Sequence, residues 1–321
     1  MDIDYTHIWK DAPTRDQGGI GNCHIFTTVG LLEARYYREH YIYRALSPYD
    51  LFINHMLESV KLFKAQGFMT HPLQEFVLYS GNESLEGGNE FSNLKLIKKY
   101  GLALDDQKPY PSPGTEEMDK LLNDVRMNTY MWQHAFREQD MTEYNANVFT
   151  CEKVRKNIKN LYKNSALKGF EDDAERELYR EDREHIREFA KGLKLKKTPY
   201  LGNWRGTKKE RMVSYLRCNP LVLTVSNYEK LIPKDANQSL LFAKKKPGKK
   251  KNIFEESLHS VLLVGFIEST NDFLIKNSWG YQIERFDADK FSVHVKEAAY
   301  LKRGFEKTSD CTYAENPVRY Q

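Results

Sequence analysis

The chain is poor in cysteine. Four occur in 321 residues, Cys23, Cys151, Cys218 and Cys311. No two lie close enough in sequence to form a paired-cysteine zinc motif, and no metal or cofactor is expected. Four in a chain this long are also too few for a disulfide framework. If Cys23 stays free, one bridge at most forms among the other three. No run approaches the roughly 18 apolar residues that a membrane-spanning helix needs. The opening residues, MDIDYTHIWKDAP, lack a basic segment followed by an apolar core, so no signal peptide is visible. Two explanations compete. Either the protein is made without a leader, and is cytoplasmic or delivered by another route, or it is the mature piece of a secreted or periplasmic precursor. An excess of one charge is missing too: 49 Lys and Arg against 45 Asp and Glu give a net charge of +4. A mixed, solvated surface explains that balance, and no nucleic-acid partner is expected.

Apolar residues make up 40% of the chain, with 20 Tyr and 17 Phe, enough for a substantial core and more than one lobe. Residues 13 to 22 read as a Gly-rich loop. From Cys23 the spacing of Phe26, Val29 and Leu31 or Leu32 predicts a helix that starts after Gly21-Asn22. Ser47-Pro48 opens a second helix carrying Leu51, Phe52, His55, Met56 and Val60, with Ser47 as cap. A third covers about 89 to 100, after Gly87-Gly88 and up to Gly101. Between about 115 and 205 opposite charges recur three and four apart, as on an exposed helical face. This stretch is expected to be a helical insertion, a solvated face or a surface for a protein partner. From 219 the text turns strand-like, at 220 to 226, 260 to 267, 272 to 277 and 291 to 295. A lysine-rich loop at 244 to 251 interrupts it. Glycosylation-type tripeptides at Asn82 and Asn237 are common by chance. The expected fold class is α+β. The expected division is a helical part over 1–114, the insertion over 115–205 and a β-rich part over 206–321.

A cysteine, a histidine and an asparagine, with a glutamine near the first, together point to chemistry. Cys23 stands at a helix start, where unpaired amides and the helix dipole favour the thiolate. Gln17 lies six residues before it across a Gly-rich turn. An amide donor there, with the cysteine's own N–H, can bind the oxyanion of an acyl-transfer intermediate. His259 precedes the apolar run SVLLVGFI, and Asn277 ends another. Taken singly, each has a plain structural explanation: a small buried thiol, a histidine at a strand edge, an asparagine in a turn. Taken together they are what a thiol nucleophile requires, a base and a group that fixes the base's tautomer.

The segments carrying these residues resemble the papain and cathepsin family of cysteine peptidases. RDQGGIGNCHIF is similar to the family's nucleophile segment, LHSVLLVGF to its histidine strand and FLIKNSWG to its asparagine segment. LSPYDLFIN, SLEGGNEF, LIKKYGL and CNPLVLTVS follow in the family's order, and YDLFINHMLESVKLF also resembles the bleomycin-hydrolase branch. The resemblance covers residues 13 to 110 and 210 to 285. It implies a two-lobe fold with a β-barrel-like second lobe and cleavage of peptide bonds through a thiol acyl-enzyme. Cys23 is then the nucleophile, His259 the base, Asn277 its orienter and Gln17 the oxyanion donor. Gly87 and Gly88 pair with an extended substrate, Trp279 shields the Asn–His bond, and Leu258 and Ser260 flank the cleft. His24 stands where the family usually has an aromatic residue, and Asn22 where it often has a cysteine. The histidine follows the cysteine by 236 residues, against roughly 130 to 150 in the papain pattern. The same site also serves aminopeptidase, transpeptidase and deamidase chemistry, and a non-catalytic binding protein is the alternative from another class.

Overall fold

A computed structural model describes residues 2–18, 20–55, 88–121, 177–198, 207–231, 258–280 and 283–303. The lysine-rich loop, both glycosylation-type asparagines, Gly87, Cys151, Cys311 and most of the 115–205 stretch lie outside them. The fold is α+β, and among the described residues helices accompany one antiparallel sheet. The chain forms two compact units: Met1–Gln17, Cys23–Leu46 and Phe189–Gln321 in one, Gly18–Asn22 and Ser47–Glu188 in the other. Composition groups the cysteine-bearing helix with the helices that follow it. In the structure that helix belongs with the sheet.

The first unit is built on strands β1 (Ile3–Asp4), β2 (Leu193–Lys197), β3 (Leu221–Ser226), β4 (Leu258–Ile267), β5 (Asp272–Lys276), β6 (Glu284–Asp287) and β7 (Val295–Arg303). They pair in the order β2-β7-β3-β4-β5-β6, with β1 added to β4. One face carries Leu223, Val225, Val261, Leu263 and Ile275 into a core with Phe291. The long helix α1 (Cys23–His40) packs on β4, β3 and β7. It is buried from His24 to Tyr36, more completely than a one-sided apolar stripe predicts.

Three expectations are corrected here. Strand β4 begins at Leu258, so His259 lies inside it and not before it. The stretch FSVHV is not a strand: Asp287 Oδ1 accepts from Lys290 N at 2.9 Å and caps a short helix over Ala288–Ser292, and β7 starts only at Val295. The end of the charged stretch is not helical throughout. Helix Arg180–Lys191 stops before Gly192, and LKLKK pairs with β7 as β2, with Leu193 and Leu195 buried and the lysines outward. Alternation overrides charge density at that point.

In the second unit, residues 48–55 are helical and Ser47 Oγ accepts from Asp50 N at 2.9 Å, the cap expected of it. Asn89 caps helix Glu90–Tyr100, and Gly101 ends it at φ 71. A side chain at Gly101 would meet Arg183 O at 1.9 Å, so only glycine fits there.

Candidate active site

Cys23 is the first residue of α1 and is a free thiol; of the described cysteines the other, Cys218, is disulfide-bonded. The Cys23 Sγ accepts a hydrogen bond from the main-chain N–H of Ser260 at 3.3 Å. That N–H belongs to the residue after His259, so β4 brings the sulfur beside the histidine's backbone. The Ser260 side chain does not face outward: its Oγ lies 3.1 Å from Thr27 Oγ1, and the two tie the strand to the first turn of α1. Thr27 Oγ1 also bonds the carbonyls of Cys23 and His24. The helix start is therefore fixed by its own first turn and by the strand beneath it.

The tautomer of His259 follows from its neighbours. Asn277, just past the end of β5, accepts at Oδ1 from the N–H of Ser278 at 2.8 Å, which identifies that atom as the oxygen. His259 Nε2 lies 2.8 Å from the same oxygen. Nε2 must then carry the proton, leaving Nδ1 as the basic nitrogen. Trp279 stacks on the imidazole with ring centroids 4.2 Å apart, and Tyr228 packs against it at 5.0 Å. His259 and Asn277 are both buried. Burial pushes the imidazole down to about 4, while the Asn277 bond and the Glu229 charge pull it back up.

This shift has a consequence for stability. In the unfolded chain the histidine takes its proton near 6.5, in the folded chain only near 4. Between those values the unfolded state binds the extra proton, so stability is lost as pH falls from 6.5 to 4 and changes no further below. The expected loss is on the order of 3 kcal/mol. Urea titrations at pH 7 and pH 4 measure it, and the His259→Gln variant is expected to lose that much less across the same interval.

Gln17 is held by the segment around Asn277. Its N–H donates to Ser278 O at 2.8 Å, Asp16 bridges Trp279, and Gly280 N donates to Arg15 O at 3.1 Å. The Ser278 hydroxyl donates to Gln17 Oε1 at 2.5 Å. With its oxygen engaged, the amide presents Nε2 as the donor. Residues 15–17 and 278–280 thus run side by side, and main-chain pairing fixes the place of Gln17.

Of the residues singled out from the sequence, the first unit contains Gln17, Cys23, Leu258, His259, Ser260, Asn277 and Trp279. Leu258 is 59% exposed at the start of β4. Gly88 is exposed before helix Glu90–Tyr100 and belongs to the other unit. Sequence reasoning passes over Ser278, Tyr228 and Glu284. Ser278 stands inside the asparagine segment. Glu284 has a signal, an acid at an inward position of a strand whose next inward residue, Phe286, is core. Among the described residues no cluster of three His, Cys, Asp or Glu is arranged to hold a metal ion, and no helix is long and apolar enough to cross a membrane.

Comparison of the sequence with protein-family models and with curated proteins finds no match. Among solved structures the chain is similar to a cysteine protease of Carica candamarcensis in complex with E-64, at 14% identity and a TM-score of 0.42. It is also similar to the bromelain protease of Ananas comosus in complex with the same inhibitor, at 15% identity and a TM-score of 0.41. Each alignment covers 94% of this chain and 98% of the other.

Proposed function

We propose that this protein is a cysteine endopeptidase that hydrolyses peptide bonds through a thiol acyl-enzyme. One observation carries the reading. The Cys23 sulfur, at the start of an 18-residue helix, is bonded to the N–H next to a buried histidine whose ring is locked by Asn277. A structural thiol requires none of these arrangements.

Each residue then has a step. His259 Nδ1 takes the thiol proton, and the thiolate is stabilised by the helix start and the Ser260 N–H. The sulfur attacks the substrate carbonyl. The oxyanion sits between the Gln17 amide and the Cys23 N–H, which are in place before the charge develops. As the C–N bond breaks, His259 gives its proton to the leaving amine. Water, deprotonated by His259, then attacks the thioester, the carboxyl product leaves, and the thiol regains its proton. Asn277 keeps the ring in one tautomer through both transfers, and Trp279 keeps that bond dry. Leu258, exposed beside the histidine, supplies a contact to an extended substrate.

The test uses a peptide carrying a thiol-reactive electrophile, with cleavage-site profiling on mixed protein substrates. One equivalent of label at Cys23, and cuts inside N-terminally blocked peptides, are the expected results. Cuts only at free N-termini convert the reading to aminopeptidase. Release of ammonia, or transfer to an added amine, converts it to deamidase or transpeptidase. A wild-type chain that takes up no label at Cys23 sinks the catalytic reading and leaves a binding protein.

A further inference from the structure

We propose that Glu284 is a positioning residue of this site: its carboxylate, anchored by Tyr228, holds the side-chain amide of Asn277 and, through it, His259. The proposal rests on the reading of Cys23, His259 and Asn277 as the reacting group.

Sheet register places the partners. Ile275 pairs with Glu284 across β5 and β6, so both point to one face. Asn277 lies two residues beyond Ile275, and alternation turns it to the same side as a diagonal neighbour of Glu284. His259 shares that face through the pairs Val225–His259, Leu223–Val261 and Leu263–Ile275. Lys276, between them in sequence, points the other way.

Tyr228 reaches both the carboxylate and the imidazole. The Tyr228 hydroxyl donates to Glu284 Oε2 at 2.6 Å. The Tyr228 ring, fully buried, packs on His259 at 5.0 Å and on Trp279 at 5.3 Å. On the other side stands Asn277. Its Oδ1 is engaged by His259 and Ser278, while its buried Nδ2 has no hydrogen bond of ordinary geometry. Burial raises the Glu284 carboxyl, and the Tyr228 and Asn277 groups lower it. Register makes Asn277 and Glu284 diagonal neighbours, with no formed hydrogen bond at Asn277 Nδ2. Such contacts tighten when substrate closes a site. A buried amide N–H without an acceptor is unfavourable, and Glu284 is the carboxylate that sheet register sets diagonally across from it.

The titratable groups facing this arrangement are His259 from β4, Cys23 from α1, and Tyr228 and Glu229 from the turn after β3. The active form is the Cys23–His259 pair holding one proton, so activity falls when the pair gains a second proton and when it loses the first. A carboxylate behind Asn277 raises both transitions.

The experiment measures kcat and KM on a peptide, and separately the pH dependence of Cys23 alkylation by iodoacetamide. It uses the wild type, Glu284→Ala, Glu284→Gln and Tyr228→Phe. Glu284→Ala is expected to lower kcat by about tenfold or more, the scale of a lost positioning contact, with little change in KM. Glu284→Gln regains most of kcat, since an amide oxygen still accepts from Asn277. Its two pH transitions move to lower pH by on the order of half a unit, because a negative charge has gone. Tyr228→Phe falls between them. Unmoved transitions in Glu284→Gln, or wild-type kcat in Glu284→Ala, overturn the proposal. If Glu284→Ala does not fold, the Gln variant's transitions decide alone. A wild type that cleaves no peptide yet shows the shift on alkylation refutes the peptidase reading and keeps this one. A wild-type Cys23 that alkylates as an ordinary thiol, with a pKa near 8.5, refutes both.

Discussion

Replacing Cys23 by Ala is expected to abolish peptide turnover, and replacing His259 by Ala is expected to do nearly as much damage. Both losses are on the order of 10⁴-fold or more in kcat. The double variant should be barely worse than either. Residues that act as one unit do not contribute additively: without its base the thiol is a poor nucleophile, and without the thiol the base has nothing to activate. The geometry makes this unit specific. Asn277 Oδ1 fixes the proton on Nε2, so Nδ1 is the nitrogen left to take the thiol proton. In His259→Ala, iodoacetamide should still label Cys23, with a rate that rises toward an ordinary thiol pKa. Progress curves on one peptide, run to high enzyme concentration, measure all three variants. Additive losses, or a His259→Ala variant within tenfold of wild type, would remove the histidine from the chemistry.

The second large effect lies behind the site. Glu33, on α1, has 0% exposure. Its Oε1 accepts from Arg15 Nη2 at 2.9 Å and from Leu46 N at 2.9 Å, and its Oε2 accepts from Trp9 Nε1 at 3.1 Å. Arg15 is buried as well and also donates to Leu46 O at 2.8 Å. Glu33→Ala takes a carboxylate away from that buried guanidinium, which is destabilising by about 3–5 kcal/mol. Lys276 adds to the effect. Burial and the Arg15 charge already push its pKa down to about 8, and Glu33 is the group pulling it back. Arg15 begins the segment that ends at Gln17, so catalysis should fall together with stability. Urea denaturation of the variant at neutral pH measures the first effect and kcat/KM the second. The conservative Glu33→Gln keeps an acceptor for one or two donors and should sit between. A Glu33→Ala variant as stable as wild type would mean that water or a rearranged Arg15 has replaced the pair.

Much of the site is legible in the amino-acid sequence, for reasons that particular residues make plain. Cys23 is readable because a helix start announces itself by Gly-Asn before an apolar periodicity, and the helix indeed begins there. Asn277 is readable because it ends a short apolar strand, and β5 stops one residue earlier. Ser47, Gly101 and the α+β order are readable because caps and periodicities are local. The misplaced strand at 291 to 295 shows the limit. FSVHV alternates well enough to pass for a strand, and only the bond from Asp287 to Lys290 turns its first half into a helix.

Local pattern thus determined which residues carry the candidate chemistry and on which kind of element each sits. That is so because capping, alternation and helical spacing act over a few residues. Tertiary structure alone decided how those residues are held. The pairing of residues 15–17 with 278–280, the Ser260 N–H on the Cys23 sulfur and the tautomer of His259 each join parts of the chain that the sequence keeps apart. Sheet register sets them, and register depends on every strand in the sheet at once.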